Sequence, residues 1–209
     1  MIMMKFLTAL CFSFFAASVT AQELAPDALV KKISDEVVSI VKQDKDIQSG
    51  NQKKINALVD AKVLPYFNFS HMTALAMGRN WPKANAEQQK SLTGEFRNLL
   101  VRTYSSALST YKNQVIEFQP LRAAAGGADV TVKTQVKQAG TEPVSIDYSM
   151  EKTPAGWKVY DVVVGGVSLV TNYRDNFNAE IRDGGVDGLI KSLASKNGSL
   201  EAQASAKSK

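Results

Sequence analysis

Few side chains in this sequence are of types that could break or make bonds. His71 is the only histidine, and Cys11 is the only cysteine. Zinc or haem ligation needs companions that the chain does not supply. Ser168 follows Gly166 at a strand-to-helix turn, the place where a G-x-S-x-G nucleophile elbow would sit. The second glycine of that elbow is missing, and the only histidine precedes the serine rather than following it. Ser168 is better explained as a helix cap whose hydroxyl accepts a first-turn N–H. The Gly165-Gly166 turn could alternatively receive a phosphate at the helix start. Asp161 lies in an apolar run and needs partners, for which Arg174 and Arg182 are the candidates. The pattern predicts no catalytic residue, no metal and no cofactor.

The elements that would position these residues follow a clear order. Lys5 and the uncharged run Phe6 to Ala17 precede Val19-Thr20-Ala21, the pattern of a secretory signal peptide cleaved after Ala21. Cleavage removes Cys11, so disulfides and thiol chemistry are excluded from the mature chain. Export without cysteine suits a bacterial periplasm. The domains expected are thus a signal peptide over 1–21, one α+β domain over 22–196, and a mobile Ser-, Ala- and Lys-rich tail over 197–209.

Apolar residues recur at helical steps in Leu29, Val30, Ile33, Val37, Ile40 and Val41, then in Ile55, Leu58, Val59 and Val63. A third helix is predicted from Phe69 to Met77, ending at Gly78. Asn85 and Gln88 form a capping box for a long helix of about 25 residues, nearly 40 Å, carrying Leu92, Phe96, Leu99, Tyr104, Leu108 and Tyr111. After Asn113 the period becomes two. Val130, Val132, Thr134 and Val136 alternate with polar residues, as do Val144, Ile146, Tyr148 and Met150. Val115 to Phe118 is a weaker strand and Trp157 to Val164 a central one. Ala124-Ala125-Gly126-Gly127, Gly140-Thr141 and Thr153 to Gly156 are the hairpin connections. Leu169, Tyr173, Phe177 and Ile181 restore the helical step. Helices, a four-strand meander and more helices predict an α+β fold, a twisted antiparallel sheet covered by helices.

The chain is mildly basic, with Lys+Arg 25 against Asp+Glu 20. Lys31, Lys32, Lys53, Lys54, Lys133 and Lys137 are scattered over wet faces without interleaved aromatics, so nucleic-acid binding is not supported. Such charge draws a protein modestly to anionic lipid surfaces or acidic partners, and more often serves only solubility.

Two stretches, Val63 to Leu108 and Trp157 to Phe177, resemble the signature regions of the MlaC family of periplasmic phospholipid-binding proteins. The resemblance rests on Leu64-Pro65 with Phe67, the turn Gly78-Arg79-Asn80-Trp81, Gln88, the run Leu100 to Tyr104, and Asp161, Gly166, Ser168, Tyr173 and Arg174. Asn68 and Gly165 stand where the family commonly has acidic residues. The resemblance implies a nuclear-transport-factor-2-like fold enclosing an apolar cavity. It also implies a monomeric carrier that shuttles phospholipid and maintains outer-membrane lipid asymmetry. The implied partners are an inner-membrane ABC transporter complex with a mammalian-cell-entry domain protein and an outer-membrane lipoprotein–porin complex.

At about 0.8 kcal/mol per buried methylene, two tails of some fifteen methylenes amount to roughly 24 kcal/mol, so carriage through water requires enclosure. The walls expected from the apolar faces are Met72, Phe96, Leu99, Tyr104, Val132, Ile146, Tyr148, Leu169, Val170, Tyr173 and Phe177, with Arg174 as a head-group rim. A charge at Val170 is accordingly expected to remove lipid from a folded chain. The competing expectation is a periplasmic adaptor with a solid core that bridges membrane complexes without carrying lipid.

Overall fold

Proline at the first position of α1 (Pro26–Gln43) sets its start, and Val30, Val37 and Val41 form its buried stripe in the computed structural model, which describes residues 24–121 and 127–207. The expected signal peptide and most of the Ala124 to Gly127 connection lie outside the described residues. Asp44 caps the short α2 (Lys45–Gln48) through its carboxylate, and Asn51 caps α3 (Gln52–Lys62). A 3-10 turn, Leu64–Tyr66, leads into α4 (Phe69–Met77), where Asn68 Oδ1 accepts the His71 N–H at 3.1 Å. Gly78 ends α4 at φ 53°, a backbone that only glycine adopts readily.

The capping box at Asn85 and Gln88 is formed in both directions, 2.9 and 3.0 Å, and starts α5 (Ala86–Tyr104). The long helix departs from expectation at its far end: from Ser105 to Thr110 it tightens into 3-10 geometry.

Among the described residues five strands follow as a meander, each pairing antiparallel with the next: β1 (Val115–Phe118), β2 (Asp129–Lys137), β3 (Val144–Thr153), β4 (Gly156–Val164) and β5 (Val167–Ser168). The expected four strands are present, and the fifth is a two-residue addition. It exists because Gly165 and Gly166, at φ 58° and 84°, make the two-residue turn with both φ positive that matches strand twist. On the inward face Val132 pairs with Tyr148, and Tyr148 with Val162. A bulge beside Ser149 and Met150 gives Tyr160 no direct partner, which bends β4.

After a further 3-10 turn, Thr171–Tyr173, α6 runs from Arg174 to Lys207 with a break at Gly185 (φ 68°, ψ −171°). The tail expected from 197 is therefore helical through Lys207. Asn197 is buried, its amide donating to the Glu95 carbonyl at 2.9 Å, and Arg102 pairs with Glu201 at 3.0 Å. Alanines at 202, 204 and 206 favour continuation of the helix once it is tethered there.

Asp161 is 9% exposed but makes no ion pair with Arg174 or Arg182. Its carboxylate instead accepts from Ser168 Oγ at 2.6 Å and from the Val162 and Val170 N–H groups at 2.8 and 3.2 Å. Three donors satisfy a buried carboxylate without a cation, and together they pin the β4–β5 turn. Arg174 donates to the Leu75 carbonyl from Nε and Nη2, at 3.1 and 2.9 Å, tying α6 to α4.

Candidate functional site: an apolar cavity between sheet and helices

Ile146, Tyr148 and Met150 step by two along β3 and so face the same side. With Ile116 of β1, Val136 of β2 and Val159 of β4 they form one wall of a cavity of about 400 Å³. Val30, Ile33, Ser34, Val37 and Val38 of α1 form the opposite wall. The 3-10 segment closes a third side. At three residues per turn, Ala107 and Thr110 eclipse one another, as do Leu108 and Tyr111, and all four reach the cavity. Tyr66, Phe67 and Val63 complete the lining. Only Ser34, Thr110, Gln114 and the tyrosine hydroxyls interrupt an apolar surface. Ala107 and Thr110 are exposed, so the space reaches solvent beside Tyr111.

A second cavity, about 210 Å³, lies among Met72, Leu100, Val101, Tyr104, Val162 and Leu169. Val63, Phe67 and Leu108 belong to both linings.

The residues expected as lipid walls divide into two groups. Ile146 and Tyr148 line the larger cavity, and Met72, Tyr104 and Leu169 the smaller. Phe96, Leu99, Val170 and Phe177 line neither: at 0–1% exposure they pack one another at the α4–α5–α6 contact, with Phe96 edge-on to Phe177 at 5.1 Å. Tyr173 joins that cluster, also 5.1 Å from Phe96. Val132 is buried among Val30, Val130 and Trp157. Arg174, bonded to the Leu75 carbonyl, is no rim to either space. The expectation for Val170→Glu changes with this placement: a charge there strikes solid core. Sequence reasoning passed over Phe67, which has no periodic neighbours. It also passed over α1 and Tyr111 as walls, although their stripes are visible.

The groups flagged for chemistry hold structural bonds. Ser168 Oγ accepts the Thr171 N–H at 2.9 Å while donating to Asp161, so it makes the N–H bond expected of a cap from the end of β5, although Val170 holds the cap position itself. The Gly165 N–H is spent on the Ser145 carbonyl at 2.9 Å rather than presented to an anion. His71 Nδ1 lies 2.9 Å from Glu151 Oε1, and its ring stacks on Tyr160 at 4.6 Å. Asn68 keeps the cap that an acid would make and adds a donation to Glu151 at 2.7 Å, which a carboxylate could not provide.

Three tyrosines titrate above the usual value of 10.0. Burial raises Tyr148 in the cavity wall. Burial first, then its bond to Asp129, pushes Tyr160 up to about 12, and burial first, then Tyr104, does the same for Tyr173. Each group is protonated and neutral in the folded protein, with a folded value above the unfolded one. The contributions of Tyr160 and Tyr173 to stability are therefore complete below pH 10 and lost as pH rises through about 12, and that of Tyr148 is lost in the same direction. Urea midpoints measured across this window should fall, and Tyr148→Phe should make the fall shallower; an unchanged slope would contradict a buried phenol.

The profile described as MlaC protein matches residues 31–195, a span that contains every cavity-lining residue except Val30. The chain belongs to the MlaC family. Among MlaC-like relatives, the Intermembrane phospholipid transport system binding protein MlaC of Haemophilus influenzae is 24% identical over 195 residues, covering 90% of this chain and 91% of its own. Toluene tolerance protein ttg2D of Pseudomonas putida is 28% identical over 191 residues, 89% of this chain and 86% of its own. A phospholipid-binding protein of Ralstonia solanacearum, solved in complex with a phospholipid, superposes with a TM-score of 0.79 at 41% identity, over 85% of this chain and 99% of that one. This MlaC-family chain thus shares its fold with a protein known to hold a phospholipid.

Proposed function

We propose that this protein is a non-catalytic carrier that encloses the acyl chains of phospholipid and moves it through water between membranes. The observation that carries the reading is the apolar cavity of about 400 Å³ between β3 and α1, within the size range of small-molecule sites. The names of its relatives support phospholipid as the ligand. A solid adaptor would have no use for such a space, because packed side chains would be more stable than a void.

The head group stays in water at the mouth. There a polar cleft lined by Lys42, Gln48, Lys112 and Asn113 shares Tyr111 with the cavity, and Lys42 Nζ lies 5.7 Å from the Tyr111 ring centre. Two cations beside the mouth suit the phosphate common to all phospholipids, which favours broad head-group acceptance. In the finer reading, a signal peptide ending at Ala21 directs a single α+β domain to the periplasm. There it works as a monomer, without cofactor, between an inner-membrane ABC complex and an outer-membrane lipoprotein–porin complex. The test is transfer of phospholipid with a fluorescent tail between two vesicle populations held apart by a porous barrier. Transfer that rises with protein concentration is expected; none above the protein-free rate would refute carriage.

A further inference from the structure

The interior is divided rather than continuous. Its chambers, about 400 and 210 Å³, meet at a wall made by Val63, Phe67 and Leu108. An apolar cavity of roughly 150 Å³ takes one benzene, so on that scale the larger chamber has room for roughly sixteen carbons and the smaller for roughly eight. The backbone of the dividing phenylalanine is held from both sides. The Phe67 N–H donates to the Leu64 carbonyl at 3.1 Å, Phe67 forms a parallel bridge with Val159 of β4, and the Asn68 N–H donates to the Val159 carbonyl at 2.8 Å. Its ring stacks on Phe69, with centres 5.8 Å apart and planes 19° from parallel. Phe67 thus borders open space on two sides while its main chain is fixed to the sheet.

We propose that the smaller chamber is a separate acyl-chain subsite, and that Phe67 is the partition that keeps the two chains of one phospholipid apart and limits the length accepted on its side. The inference rests on the phospholipid reading above and adds a specificity determinant to it. A chain longer than the small chamber must displace the ring or leave methylenes in water, and each methylene left out weakens binding about fourfold. Unequal chambers also give the two chains unequal places.

Delipidated full-length protein is incubated with phosphatidylglycerol vesicles of graded tail length, and the lipid retained is weighed by native mass spectrometry. For the wild type, retention should fall off beyond one tail length. Phe67→Ala joins the chambers and should extend that limit, gaining about fourfold per added carbon until the new space is filled. Phe67→Trp should lower the limit. Phe67→Leu gives the same direction as alanine with less disturbance, and circular dichroism identifies the variants that fold. Identical length profiles for the wild type and all folded variants would overturn the partition while leaving the carrier intact. A wild type that retains no phospholipid of any length would overturn the carrier reading itself.

Discussion

Ile146→Glu is expected to yield a folded protein that has lost nearly all of its phospholipid. Ile146 is half-buried, and its side chain lines the larger cavity at the edge of the core cluster around Val132 and Met150. Without lipid, water entering from beside Tyr111 can solvate the new carboxylate, so the fold tolerates it. With lipid, the carboxylate must be buried against methylenes, at a cost of several kcal/mol. That penalty corresponds to a loss of at least about a hundredfold in affinity. Circular dichroism together with lipid extraction checks both halves. A variant with a native spectrum and its full complement of lipid would contradict the wall assignment.

Phe96→Ala should do the reverse. Phe96 is fully buried, with its ring edge-on to both Tyr173 and Phe177. Truncating it leaves a void in tightly packed core, which typically costs about 3–5 kcal/mol. Thermal or urea unfolding should show that loss, and the fraction that remains folded should bind phospholipid as the wild type does. A stable Phe96→Ala with impaired binding would place Phe96 at the ligand instead. Val170→Glu belongs with this pair as a core lesion, since Val170 is 0% exposed in the same cluster.

These contrasting variants show where the sequence was legible. The capping box at Asn85 and Gln88, the alternation in β2 and the stop at Gly78 are local rules obeyed locally, whereas in β3 the expected alternation is blurred and Val144, expected on the dry face, is 44% exposed. The bond of Ser168 Oγ to the Thr171 N–H was legible as a local rule too. Which apolar residues face a void was not. Phe96, Val170 and Phe177 show the same stripe whether the next atoms belong to a neighbour or to a ligand, because periodicity reports burial and not what lies opposite. The partners of Asp161 were misread because a buried carboxylate can be satisfied by backbone N–H groups that leave no mark in the sequence. The turn of Leu108 and Tyr111 into the cavity depends on a change from α to 3-10 geometry at Ser105, which the continuous apolar pattern does not announce. Phe67 sits between a proline turn and a cap, where there is no period to read.

Native mass spectrometry of the full-length protein, purified without detergent from a bacterial host, tests the central claim most directly. Carriage predicts a bound species whose added mass is that of host phospholipid and which is released as intact lipid on activation. Protein that flies only at its bare mass, and stays bare after incubation with phospholipid vesicles, would contradict it.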